Sequence, residues 1–301
     1  MSTFASMTKR NTKLFFKDKG MFFTSLITPL ILLVLYMTFL AKVFRDSFHS
    51  NLPEGFDVSE GLINGLVGGQ LASSILAVCC VTVAFCSNLL MVNDKVSGAR
   101  KDLMVTPARK STFAFSYYVA TLLSTLIISV TATFACFIYV ATQGWYMSFG
   151  DVMLVLLDVF LLTMFGTALS SCVNGLLSTS GQASAVGTVV SAGYGFICGA
   201  YMPISQFGKG LQDVLGFFPG TYGTSLIRNH SLAGVCREMA NQHFPEEVIE
   251  GIKDSVDCNI YFLGNKVSEG AMYGVLIGAI VVFIGLYVLI NYLKNRKGAN
   301  S

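Results

Sequence analysis

The sequence predicts an all-α, polytopic membrane protein with six transmembrane helices and both termini in the cytoplasm. Two observations carry this. Six apolar stretches of about twenty residues fill most of the 301-residue chain, and its basic residues are sorted to one side of them. Composition agrees: 53% of residues are hydrophobic, only 12% are charged, and mean hydropathy is +0.63. A hydrocarbon core about 30 Å thick needs about 20 helical residues to cross it, and in lipid the helix must satisfy its own backbone polar groups.

From Thr3 to Asp18, Phe4, Met7, Leu14 and Phe15 sit near helical spacing among Lys9, Arg10, Lys13 and Lys17, which predicts a basic amphipathic helix lying along the inner surface. The first span is Met21–Ala41. Its length, Pro29 and the lack of a small-residue cleavage site separate it from a signal peptide. The next spans are Leu71–Val92, Phe113–Ala141, Val152–Cys172, Ala183–Met202 and Ala271–Leu293. Residues 61–70 extend the second span outward, since Leu62, Ile63, Leu66 and Val67 form an apolar face. The organisation is then a surface helix (1–20), five spans (21–202) with a cytoplasmic loop at 94–112, an external segment (203–270), and a last span with a basic tail (271–301).

Charge sets the orientation. With the N-terminus inside, 13 of 20 Lys and Arg fall in inner segments and 13 of 17 Asp and Glu in outer ones. That distribution predicts a multi-pass protein of a bacterial inner membrane. In the external segment, 207–218 reads as short amphipathic or re-entrant helices. A polar, acidic piece from His230 to Glu269 reads as a small subdomain, helical at Pro245–Ile252. Cys236 and Cys258 are the pair of cysteines on this oxidising face, a possible disulfide or two unpaired thiols.

No GxxxxGK[ST], HExxH or GxSxG motif occurs, and His49, His230 and His243 all fall in external segments, so neither catalytic nor metal-ligating residues are expected. Asp158 is the ionisable residue well inside a span, with no basic partner near it in sequence. Two readings stay open for it: a functional carboxylate, or a structural contact to a neighbouring Thr, Ser or Tyr.

The loop after the second span reads Asn93-Asp94-Lys95-Val96-Ser97-Gly98-Ala99-Arg100-Lys101-Asp102-Leu103-Met104-Val105-Thr106-Pro107-Ala108-Arg109. Further on come Gly199, Pro203, the 207–218 segment, Pro219, Tyr222 and Arg228. Together these resemble the permease subunit of ABC-2 type transporters, the half-size membrane component of bacterial ABC exporters. Members typically carry an acidic-basic-acidic triplet, Gly-Thr, then Thr-Pro and a basic residue. Here Asp94, Lys95, Gly98, Leu103, Thr106, Pro107 and Arg109 match, while Val96 replaces the second acid and Ala99 the threonine.

The resemblance implies an ABC-2 (type V exporter-like) fold in which two permeases, two copies or a similar pair, work with a separate cytoplasmic ABC ATPase. ATP and Mg would lie on that partner and no cofactor on this chain; no nucleic-acid partner is expected. The matching loop residues would couple to the ATPase. A pathway between subunits would be lined by Phe85, Ser87, Asn88, Thr188, Ser191, Tyr194 and Phe196, suited to export of a small amphipathic or hydrophobic cargo such as a drug, lipid-like molecule or peptide. The rival readings are a membrane scaffold or sensor with an external binding module, and an ion-coupled carrier using Asp158.

Overall fold

Polar side chains punctuate the helices. The computed structural model describes residues 2–51, 58–106 and 108–297. Helix α1 (Thr3–Lys17) begins at Ser2, whose Oγ accepts the Ala5 N–H at 3.3 Å. It ends at Asp18, whose carboxylate accepts the Met21 N–H at 3.0 Å and so starts α2 (Lys19–Leu35). The first span continues through a π-helical turn at Tyr36–Leu40 into α3 (Ala41–Asn51). Ser59 caps α4 (Glu60–Val96), a single helix of 37 residues.

A short α5 (Ala99–Met104) leads to α6 (Lys110–Gln143), and a Ser148/Asp151 capping box starts α7 (Phe149–Leu176). Thr179 caps α8 (Ser180–Ile197). Beyond it come a 3-10 turn (Ile204–Gln206), α9 (Lys209–Leu215), α10 (Pro219–Asn241) and α11 (Glu246–Ser255). A hairpin of β1 (Tyr261–Phe262) and β2 (Asn265–Lys266), with Tyr261 opposite Lys266, precedes α12 (Glu269–Lys297).

Among the described residues, five helices are long and apolar enough to cross a bilayer: the first span, α4, α6, α7 and α12. Over the expected fifth span, α8 has 18 residues, so it is about 27 Å long. Its glycines and hydroxyl residues make it less apolar than those five. Helix α4 is the centre of the bundle, buried along nearly its whole length, with α6, α7, α10, α2 and α8 packed round it.

Where sequence reasoning expects a polar external piece from His230 onward, α10 runs unbroken beside the other helices. Its Gly223 meets Leu162 of α7 and Leu276 of α12, His230 meets Asp158, and Arg237 meets Asp151, so α10 lies antiparallel to α7. The helix carries no apolar stripe, which is why periodicity does not reveal it. Its buried face includes Thr221, Thr224, Ser225, Arg228, His230 and Ser231, each polar group needing a partner on another element.

Arg228 is fully buried and paired with Asp257 at 3.3 Å. Its Nη2 also donates to the Gly199 carbonyl (2.9 Å) and to Ser74 Oγ (3.4 Å). Asp257 in turn accepts the backbone N–H groups of Ile204 (2.6 Å) and Ser205 (2.9 Å). Gly199 is at φ +71°, and a Cβ there would lie 2.8 Å from Asp257 Oδ2, so no other residue fits the end of α8.

Outside this junction, hydrogen bonding from Lys266, opposed by burial and reinforced by Lys253, holds the Glu250 carboxyl down to about 2. That ties α11 to the hairpin. Cys236 and Cys258 are free thiols lining one pocket beneath α11, and burial pushes the Cys258 thiol far above its ordinary value.

Breaking a buried ion pair from one side strands the other charge. Asp257→Ala is therefore expected to lower stability by about 3–5 kcal/mol, and the double variant R228M/D257A to recover part of that. Thermal unfolding in detergent measures both. Equal losses in the single and double variants would contradict the expectation.

Candidate functional site

The residues singled out after the second span separate into two groups: those that hold the bundle's basic end together and those that project from it. Asp94, near the end of α4, is buried. Arg10 of α1 bonds it at 2.8 Å, and the Tyr117 hydroxyl of α6 donates to it at 2.5 Å. One carboxylate thus pins α1 and α6 to α4. The hydrogen bond to Asp94 also raises the Arg10 guanidinium above its ordinary value, against a smaller opposing effect of burial.

Lys95 points the other way. Its ammonium donates to the carbonyls of Asn174 (3.4 Å), Gly175 (2.9 Å) and Leu177 (3.0 Å) at the end of α7, where helix carbonyls run out of intrahelical partners. Lys294 of α12 adds a bond to Gly175 O at 2.6 Å. Asp94 and Lys95, both in the loop that the family resemblance assigns to coupling, therefore make their contacts within the bundle.

The chain then turns sharply. Gly98 is the N-cap of α5 at φ +84°, the left-handed region, with open space where a Cβ would stand. None of the residues of α5 is buried. Leu103 is half-buried, and Thr106 Oγ1 donates back to the Leu103 carbonyl at 2.7 Å. Met104 is 40% and Val105 86% exposed, flanked by the exposed Lys101, Asp102, Arg109 and Lys110. Pro107 lies outside the described residues. A short helix with an apolar tip in a charged rim suits the docking of another protein. Met104 and Val105, which carry that tip, were not singled out by motif matching; two apolar residues in a charged loop were the signal for them.

A model of the ABC-2 type transporter family matches residues 2–230. The chain belongs to that family. No curated protein matches it. The family match covers α1 to the middle of α10, so it contains Asp94, Lys95, Gly98, Asp158 and Arg228. Asp257, the partner of Arg228, and Tyr273, a partner of Asp158, lie beyond it.

In this ABC-2 chain the expected pathway residues are dispersed. Phe85 and Tyr194 meet in an apolar pocket of about 140 Å³ between α4, α7, α8 and α10, closed by Phe165, Val189 and Phe218. The Tyr194 hydroxyl is buried against Gly220 of α10, without a hydrogen-bond partner. Ser87 and Asn88 lie elsewhere. Ser87 is buried facing Asn11 and Tyr117, and Asn88 donates to Ser170 (3.2 Å) and Ser171 (2.8 Å) of α7. On α8, Thr188 and Phe196 are exposed and Ser191 half-buried, with Thr188 bonded to its own helix at Ser184 O.

Asp158 is where the ABC-2 chain departs most from its sequence reading. It is fully buried, His230 Nδ1 lies 2.5 Å from Oδ2, and the Tyr273 hydroxyl donates to Oδ1 at 2.6 Å. The basic partner that sequence reasoning found missing is a histidine it placed outside the membrane. The carboxylate joins α7, α10 and α12.

The basic end yields two expectations. Lys95→Met is expected to cost about 1–3 kcal/mol of stability through the freed carbonyls. Because Lys95 and Lys294 share Gly175 O, the K95M/K294M pair is expected to lose more than the sum of the single losses in thermal unfolding. Gly98→Ala meets no steric obstacle but forces alanine into the left-handed region at about 1–2 kcal/mol. Hydrogen exchange of residues 99–104 should then accelerate roughly tenfold while α4 and α6 are unchanged.

Proposed function

We propose that this chain is the transmembrane permease subunit of an ATP-driven exporter, paired with a second permease and driven by a separate cytoplasmic ATPase. The observation that carries the reading is α5, projecting from the basic end with Met104 and Val105 exposed. In this reading Leu103, Met104, Val105, Thr106 and Arg109 form the face that meets the ATPase, while Asp94, Lys95 and Gly98 hold that face in position. Basic residues concentrate at the same end, which by the positive-inside rule supports a cytoplasmic side there, and the membrane we assign is a bacterial inner membrane.

Closure of the ATPase would press on α5, and α4 would pass the movement to the helices packed round it. The cargo we assign is small and amphipathic or hydrophobic. The support is the pocket holding Phe85 and Tyr194, whose walls are apolar. A proton-coupled carrier is the second reading, favoured by one observation: Asp158 has a basic partner in His230 inside the bundle.

The test is co-expression with a candidate ATPase subunit lacking membrane spans, followed by co-purification and ATPase assay in lipid. Met104→Asp with Val105→Asp is expected to weaken association about tenfold or more, since a charge would enter an apolar contact. Both side chains are solvent-exposed, so the fold should survive. Unchanged association would refute the docking assignment. ATP-independent uptake that disappears in Asp158→Asn would favour the carrier instead.

A further inference from the structure

The groove between α1 and α6 has the chemistry of a phospholipid site. Helix α1 is held at one edge by Arg10 on Asp94, which leaves its next face, Lys9 and Lys13, turned along the groove. These two lysines are one helical turn apart, exposed, and without an ion pair among the described residues. Like charges at this spacing repel, and an anion between them relieves the repulsion.

Below them, Thr8 is only 8% exposed, and its Oγ1, like that of Thr12, is buried without a hydrogen-bond partner. Both threonines line the groove, whose volume is about 690 Å³ and whose walls are otherwise apolar: Phe4 on α1 and Val119 and Leu123 on α6. The apolar wall does not stop there. Leu123 (42% exposed) and Ile127 (51% exposed) continue it along α6, four residues apart on one face, away from the basic rim.

We propose that this groove binds an anionic diacylphospholipid. The phosphodiester lies between Lys9 and Lys13, the glycerol ester region accepts hydrogen bonds from Thr8 and Thr12, and one acyl chain follows Val119, Leu123 and Ile127. A free anion would leave the apolar track uncovered. A zwitterionic lipid would bring its own cation against two ammonium groups.

The experiment is native mass spectrometry of the full-length protein in neutral detergent, with dioleoyl phosphatidylglycerol and dioleoyl phosphatidylcholine as competing probes. The wild type is expected to retain phosphatidylglycerol preferentially. Lys9→Ala with Lys13→Ala should reduce that retention roughly thirtyfold, the worth of two lysines at a membrane surface. K9R/K13R should restore it, and T8V/T12V should weaken it with the lysines intact. Thermal unfolding of each variant checks that the bundle is unchanged. Undiminished preference in K9A/K13A overturns the proposal. So does equal competition by glycerophosphoglycerol, the same headgroup without acyl chains, because the site would then read only the anion.

Discussion

A guanidinium with no exposed surface has to be answered inside the protein, and the way Arg228 is answered organises the segment between α8 and α12. Removing such a charge from water is expensive, and it is stable there only with a counter-charge and further hydrogen bonds in good geometry. Asp257, Gly199 and Ser74 supply these from three different parts of the chain. Asp257 is itself anchored by the amides that open the 3-10 turn. The junction therefore fixes the end of α8, the start of the following turn, the middle of α10 and the residues after α11 relative to α4. The same logic is repeated along α10 at His230 with Asp158 and at Arg237 with Asp151. A helix without an apolar face enters the bundle because most of its buried polar groups find partners on other elements, Arg228 Nε being an exception.

At the basic end, adjacent residues do opposite work. Asp94 and Lys95 are neighbours in sequence, yet one gathers α1 and α6 by charge and the other caps α7 by donating to its carbonyls. Beyond Gly98 the chain belongs to the surface. The left-handed glycine is the hinge between the two tasks, since the chain must leave the axis of α4 before α5 can face outward.

Much of this was legible in the sequence, because lipid imposes long apolar helices and charge sorts their ends. The first span, α4, α6, α7 and α12 are read directly from hydropathy, and α1 from the spacing of Phe4, Met7 and Phe15. Loop spacing pointed to the family and to α5. The rest depended on contacts far apart in the chain. His230 and Asp158 are 72 positions apart, and Arg228 and Ser74 are 154 apart. No periodicity encodes such pairs, so the stretch from His230 onward read as a small polar subdomain outside the membrane. Asn88 illustrates the same limit: its position on the second span suggested a pathway, while its side chain is spent on two serines of α7.

The length of α4 has a mechanical consequence. Its 37 residues make a rod about 55 Å long, well beyond the hydrocarbon thickness it crosses. One end carries Asp94 and the turn into α5; near the other, Gly65 touches Tyr146 and Val235. Pivoting such a rod by roughly 5° about its midpoint moves each end by roughly 2.4 Å, in opposite directions. A displacement of that size is comparable to the shifts that repack helix interfaces in switching proteins. In the proposed reading, leverage alone carries a push on α5 to the far side of the bundle, with no chain of ionisable relays between them.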